Sequence, residues 1–372
     1  MRAQIIAGGG LAGAAAACAL AQAGRTVRVL ERSTGPTDKV CGDFLSSEAQ
    51  HYLAQLGLDV AGLGGHPITR VRLVRGARVR EARLPFRGLG LSRRILDEAL
   101  LRHAAAAGAE VARGVSVDRL SPEIDFLATG KHDLRIGGRK PATTPEDLVG
   151  FKTYLELGST QRDALADAVE VILFADGYAG LQQVGNGRAN LCLLIHRDHL
   201  RHAGGTWTAL LEDLRRGSPH LHGRLTGARM LLARPLAIAR VPYGFIHRPD
   251  AAESVFRLGD QACVIPSFAG DGMAMALHSA ALAVRCHLRG MPAAAYHRQL
   301  SRDVAGPIRR AGALYRIGQW RIGRWAPGQA LLIHALRLSP GLLTHAAAAT
   351  RIAEAAWLHG GATPAHPTVA VP

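Results

Sequence analysis

Cysteine is scarce in this chain: five in 372 residues, odd in number, widely scattered and never in a Cys-x-x-Cys pair. That pattern argues against a disulfide framework or a cysteine zinc centre, and for a reducing cytoplasm. Acidic residues are also few, 29 against 45 lysines and arginines, yet no basic block is interleaved with aromatics. The net charge of +16 therefore reads as a solvated surface and not as a nucleic-acid site, with an anionic membrane surface or an acidic carrier protein as the partner it would suit. Beyond the amino terminus no uncharged run is long enough to span a bilayer. Met1-Arg2 before a run ending Ala21-Gln22-Ala23 imitates a secretory signal, but glycines at the head of that run would break a signal helix. The expected location is cytoplasmic, with contact at a membrane surface as the alternative.

What is present is glycine in a particular place. Ile5-Ile6-Ala7-Gly8-Gly9-Gly10-Leu11-Ala12-Gly13 follows a short apolar strand and opens an alanine-rich helix, and Val27-Arg28-Val29-Leu30-Glu31-Arg32 ends a second strand in an acid. Gly8 permits the tight turn, Gly10 lets backbone approach a pyrophosphate, and Gly13 lets the helix pack closely on the sheet. Phosphates would sit at the positive helix N-terminus and Glu31 would accept from a ribose hydroxyl.

The length and the 48% apolar content suggest two or three structural units. Strand, helix and strand fill residues 1 to about 35, and Ser92-Arg93-Arg94-Ile95-Leu96-Asp97 starts a helix with apolar residues at helical spacing. A polar, glycine- and proline-containing crossing at Leu134–Thr144 looks like a change of domain. Short runs at Phe151–Leu157, Val169–Phe174, Ala179–Gln183, Asn190–Ile195 and Met230–Ala239 predict a mostly antiparallel sheet, with a helix near Thr206–Arg215. Ser254–Asp260 reads as a strand returning to the first domain, and a helix covers Met273–Leu288. No repeat is visible.

Four motifs in this order resemble the flavoprotein superfamily that includes geranylgeranyl reductases and para-hydroxybenzoate-hydroxylase-like monooxygenases. They are the Gly8-Gly10-Gly13 turn with Glu31, the Lys39-Val40-Cys41-Gly42-Asp43 loop, the Ser92–Asp97 helix start, and Gly259-Asp260 followed by Pro266 and Gly270-Asp271-Gly272-Met273. The resemblance spans residues 1 to about 300 and is nearer the geranylgeranyl-reductase-like branch. It implies an α/β fold: a Rossmann-like FAD-binding domain, an inserted mostly antiparallel substrate sheet and a helical C-terminal region. The implied boundaries are 1–135, with an excursion near 66–90, and 251–300 for FAD binding, 136–250 for substrate and 301–372 for the terminal helices.

By resemblance the FAD contacts fall on Gly8, Gly10, Leu11, Ala12, Gly13, Glu31, Arg32, Lys39, Cys41, Gly42, Arg93, Gly259, Asp260, Pro266, Gly270, Asp271, Gly272 and Met273. Asp260 is placed to accept from ribityl hydroxyls. The N–H groups around Gly270 and Gly272 are placed at the flavin's pyrimidine edge, where a helix dipole stabilises reduced cofactor. Arg93 would lie near the diphosphate, or else form a surface ion pair. Cys41 lies beside the isoalloxazine, as a packing residue or a contributor to substrate protonation. One departure stands out: where relatives carry an Asp-Gly pair, this chain has Ala128-Thr129-Gly130-Lys131-His132-Asp133. Asp176-Gly177 is a decoy within the second domain, and the 117–126 segment is short.

The implied reaction is reduction of carbon–carbon double bonds in a lipophilic, isoprenoid-like substrate by NAD(P)H-reduced flavin. The alternatives are a monooxygenase hydroxylating an aromatic or polyketide-like ring, and a non-catalytic flavin-binding module. No metal is expected: His196, His199 and His202 drift around a helix without a completing carboxylate, and read as surface histidines. Ser46-Ser47-Glu48 lacks a nucleophile elbow. Trp320 and Trp325 with their arginines form an amphipathic stretch that packs over the core, or meets a membrane surface.

Overall fold

The computed structural model describes residues 2–139, 147–174, 176–250, 253–319 and 341–353. Its strands are β1 (Gln4–Ala7), β2 (Val27–Glu31), β3 (Phe44–Leu45), β4 (His66–Arg75), β5 (Arg78–Gly90), β6 (Glu110–Arg113), β7 (Ile124–Leu127), β8 (Leu148–Glu156), β9 (Ala168–Phe174), β10 (Gly177–Gln183), β11 (Ala189–His196), β12 (Arg229–Met230), β13 (Leu236–Ala239) and β14 (Phe256–Arg257). Its helices are α1 (Leu11–Gln22), α2 (Ser47–Gln55), α3 (Arg93–Ala106), α4 (Ser159–Leu165), α5 (Arg197–His202), α6 (Trp207–Gly217), α7 (Pro219–Leu225), α8 (Gly272–Leu288), α9 (Ala293–Gln319) and α10 (Gly341–Ala349).

Five strands form a parallel sheet in the order β14-β7-β1-β2-β6. β14 joins this sheet from far along the sequence, pairing with β7. Residues Leu11 to Leu20 of α1 are all buried, and small side chains let this helix lie close to β2, α3 and α8 at once. A helix apolar all round belongs in a core.

Among the described residues nine strands form the second sheet, in the order β12-β8-β11-β10-β9-β4-β5-β3 with β13 also on β8. It is antiparallel except where β4 runs parallel to β9. The 66–90 excursion is therefore a long hairpin of this sheet, contributed from within the first stretch of chain. The expected strand at Met230–Ala239 is two short pieces, β12 and β13, both paired with β8. Pro235 lies between them, where its missing N–H suits a break in the ladder.

Period-two alternation sorts this sheet's faces. On β9, Ala168, Glu170, Ile172 and Phe174 are buried, while Val169, Val171 and Leu173 face a cavity. The buried face packs on helices between β8 and β12, where Leu165, Leu210, Leu214, Leu221 and Leu225 share one core with Ile172. A carboxylate sits within that face. Glu170 accepts from His220 (2.8 Å), Arg224 (2.8 Å) and Arg72 (3.1 Å), and His220 and Arg224 overcome the upward push of burial, bringing its pKa to about 2.

Candidate functional site

β1 ends at Ala7 and the chain turns at Gly8 with φ +106°, a left-handed conformation that glycine takes without strain. A Cβ on Gly8 would lie 2.4 Å from the Ala128 carbonyl oxygen, and one on Gly13 would lie 1.9 Å from the Gly8 carbonyl oxygen. Both glycines are thus required by contact with backbone. Gly10 precedes α1 and no side chain caps the helix, so its positive end is open toward the cavity that Gly8, Gly10, Leu11 and Ala12 line. The Lys39 ammonium hangs beside this turn, 3.1 Å from where a Gly10 Cβ would stand.

Glu31 is buried and accepts from the N–H of Gly9 (2.7 Å) and of Ser33 (2.8 Å). Burial works to raise its pKa, but these N–H groups and Lys39 outweigh it and hold the carboxyl below its ordinary range. One backbone donor on each oxygen leaves lone pairs for a ligand hydroxyl. Arg93 and Lys39 converge on Asp97, with Arg93 at 2.6 and 2.9 Å and Lys39 at 2.9 Å. Against burial these cations hold the Asp97 carboxyl low. Arg93 is mostly buried and lines the cavity, so its ion pair is not a surface one.

The opposite end of the cleft comes from residues far along the chain. Gly259, Asp260, Gly270, Gly272 and Met273 line the same cavity as Gly8 and Gly10. Asp260 pairs with Lys131 at 2.9 Å, and Lys131, Arg139 and Arg93 overcome burial to keep its carboxyl low. Lys131 belongs to the segment that lacks an Asp-Gly pair. A cation stands there, and its pairing with Asp260 is not visible in the sequence.

Arg32, Cys41 and Gly42 also line the cavity, whereas Gly13, Pro266 and Asp271 do not. Gly13 acts through packing. The Asp271 carboxylate is fully buried away from the cleft, accepting from the Ile352 N–H (2.9 Å) and lying 3.2 Å from Arg351. Burial, with Arg351 opposing and Glu48 reinforcing, pushes its pKa to about 7. It holds the loop from behind.

The cavity measures about 1140 Å³ and runs from this polar cleft onto the second sheet. Val71, Leu73, Val169, Val171, Leu194 and Ile238 form its apolar wall. Within it Tyr243 donates to Ser267 (2.6 Å) and lies 3.4 Å from the Tyr178 hydroxyl. Leu342, Leu343 and Ala346 of α10 complete one side, and α10 is fastened to β5 by Thr344 donating to the Arg83 carbonyl (3.0 Å).

Carboxylates do flank one of the three spaced histidines: His199 contacts Asp176 (3.3 Å) and Asp213 (3.0 Å). These side chains come from the β9–β10 turn and α6, so linear spacing could not reveal them. His247, Glu253 and His297 also cluster, with their ligand atoms within 4.8 Å of one another. Arg257 lies 3.3 Å from Glu253 and already supplies a cation there. Ser46 accepts from the Ala49 N–H as the N-cap of α2, which accounts for the Ser46-Ser47-Glu48 pattern. Trp320 and Trp325 lie outside the described residues. Among the described residues no helix is long and apolar enough to cross a membrane.

A glycine-turned parallel sheet that faces a second sheet across one shared cavity is a Rossmann-like α/β arrangement with an added sheet. Comparison with known proteins agrees. Residues 6–65 match the model of the NAD(P)-binding Rossmann-like domain. Menaquinone reductase of Mycobacterium tuberculosis is 50% identical over 54 residues, 14% of this chain and 13% of that protein. Digeranylgeranylglycerophospholipid reductase 2 of Methanopyrus kandleri is 29% identical over 222 residues, 51% of this chain and 54% of that protein. The matches thus span from about an eighth to about half the length of these curated relatives. Among solved structures, a flavin-dependent brominase superposes with a TM-score of 0.72 at 13% identity over 94% of each chain. A geranylgeranyl bacteriochlorophyll reductase-like protein of Thermoplasma acidophilum gives 0.69 at 15% identity, covering 86% of this chain and 87% of that one. At such identities the likeness shows the fold alone.

Proposed function

We propose that this chain is an FAD-dependent reductase that saturates carbon–carbon double bonds of a lipophilic, isoprenoid-like substrate with electrons from NAD(P)H. The observation that carries this reading is the continuity of the cavity. A polar cleft with glycine turns, an open helix end and the carboxylates of Glu31 and Asp260 passes directly into an apolar chamber with aliphatic walls. A dinucleotide suits the first part and a chain of methyl-bearing carbons the second.

Bound FAD would supply hydride transfer between nicotinamide and substrate. Gly8, Gly10 and the first turn of α1 would hold its diphosphate, Glu31 a ribose hydroxyl and Asp260 the ribityl chain. Lys39 and Arg93, which stand beside the Gly10 turn, would offset phosphate charge. The sheet wall excludes water and aligns the substrate, and the Tyr243 hydroxyl, hydrogen-bonded to Ser267, is an O–H donor within the chamber. The relatives named as reductases and the apolar wall both support this assignment over ring hydroxylation.

Turnover without oxygen tests it. Purified protein supplied with FAD, NADPH or NADH and a polyprenyl substrate should form the saturated product anaerobically, one double bond per nicotinamide consumed. A strict requirement for oxygen would replace this reading with the monooxygenase one. Flavin that neither nicotinamide bleaches would leave a binding module.

A further inference from the structure

Behind the cavity wall lies a buried charge pair that the proposed reaction does not use. Asp43 and Lys152 are both 0% exposed at the side chain and meet at 2.6 Å. Tyr154, two residues along β8, donates to the same Asp43 oxygen at 2.7 Å and lies 3.1 Å from Ser92 Oγ at the start of α3. The second Asp43 oxygen is buried with no hydrogen-bond partner among the described residues, so one oxygen carries both contacts. Asp43 also has φ +58°, a left-handed conformation that is uncommon for a residue with a side chain.

These groups enclose a short loop. The Asp43 N–H points to Cys41 Sγ (3.4 Å), the Asp43 carbonyl accepts from Leu91 N–H (2.9 Å), and Asn190 donates to the Cys41 carbonyl (3.0 Å). Asn190 stands opposite Tyr154 in the β8–β11 register, so adjacent strands of the second sheet grip residues 41 and 43 together. Cys41 and Gly42 line the cavity between the two gripped points. A buried ion pair is a poor source of stability, because desolvation cancels most of its attraction. A positional role accounts for it better.

We propose that Asp43, Lys152 and Tyr154 form a buried positioning site through which strand β8 sets the Cys41–Asp43 loop against the cofactor cleft. The bond pattern gives each member a task. Lys152 neutralises the carboxylate, Tyr154 orients it, and together they hold the left-handed turn that presents Cys41 and Gly42 to the cavity. None of the three needs to touch a ligand. The positioning itself is read in the protein without cofactor, and its consequence for FAD binding rests on the proposed function.

The experiment is alkylation of Cys41 by iodoacetamide in the full chain without FAD, followed by peptide mass spectrometry, with melting temperature recorded alongside. Buried Cys18 serves as the internal reference for unfolding. Lys152→Met should lower the melting temperature and speed Cys41 alkylation about fivefold or more relative to Cys18, the factor expected when about 1 kcal/mol of restraint is lost. Asp43→Asn combined with Lys152→Met removes both charges. It should recover much of the melting temperature while Cys41 stays fast, which a purely structural pair would not do. Tyr154→Phe, which keeps the charges, should give a smaller acceleration, and FAD titration of the same variants should show weaker binding. Cys41 alkylation within about twofold of the parent in the folded double variant and in Tyr154→Phe overturns the proposal.

Discussion

The two walls of the cleft are built on opposite principles. On the Rossmann side, contact is made by backbone: small residues at Gly8, Gly13 and along α1 bring main chains so close that a single methyl group would collide. On the sheet side, contact is made by alternating side chains, and the face turned away from the cavity is locked by charges drawn from several elements around Glu170. At Gly8 and Gly13 the first wall leaves no room for a methyl group. The second wall holds a carboxylate whose partners come from other elements.

Gly13→Ala should sharpen that contrast most. Its new methyl would need to occupy space 1.9 Å from the Gly8 carbonyl oxygen, and that atom is backbone which cannot swing aside. Flavin uptake should be lost entirely, read as a colourless preparation after reconstitution with FAD. A Gly13→Ala variant that binds FAD like the parent would show that the turn is not the cradle.

The equivalent break on the sheet side is Glu170→Gln. Arg224 would keep its place beside a neutral group while Arg72 retains Glu81, and removing one partner of a buried ion pair typically costs ~3–5 kcal/mol. Chemical denaturation should show a drop of that size. The native pKa near 2 lies below the ordinary carboxylate value, so the parent's stabilisation is present above about pH 4.5 and is lost as the pH falls toward 2. In Glu170→Gln that acid-dependent part should vanish.

The same contrast decides what the sequence could tell. The glycine turn was legible because its physics is local: a glycine at the end of a strand and an acid one helix later. Strand β9 was legible too, as a short apolar run bounded by turn residues. The partners of Glu170 were not, since Arg72 lies on a strand 98 residues before it and His220 and Arg224 lie on a helix 50 and 54 residues after it, and no spacing rule joins them. The swap of roles at residue 131 was half legible. The missing Asp-Gly pair showed in the sequence, but that Lys131 would answer Asp260 depends on β7 and β14 lying side by side.

Asp260→Ala should therefore act at both ends of that pairing. It removes the proposed ribityl acceptor and leaves the Lys131 ammonium without its partner, so FAD affinity should fall about tenfold, equivalent to about 1.4 kcal/mol. Fluorescence titration with FAD checks this. Lys131→Met tests the reciprocal: a comparable loss would mean that the pair works as a unit, whereas unchanged affinity would restrict the lysine to balancing charge.

The effect confined to a pH window should come from Asp271, which supports the Gly270–Gly272 loop without entering the cleft. Its folded-state pKa near 7 exceeds the ordinary carboxylate value, so the native protein holds a proton that the unfolded chain releases above about pH 4. The resulting stabilisation is complete below that value and is lost as the pH rises toward 7, at roughly 1 kcal/mol per pH unit. Asp271→Asn cannot titrate. Relative to the parent it should gain stability steadily between about pH 4 and about pH 7 and stay level above, which melting temperatures taken across that range will show. A difference curve that is flat through the whole range would mean the carboxylate is ionised at every pH, with the Arg351 contact outweighing burial.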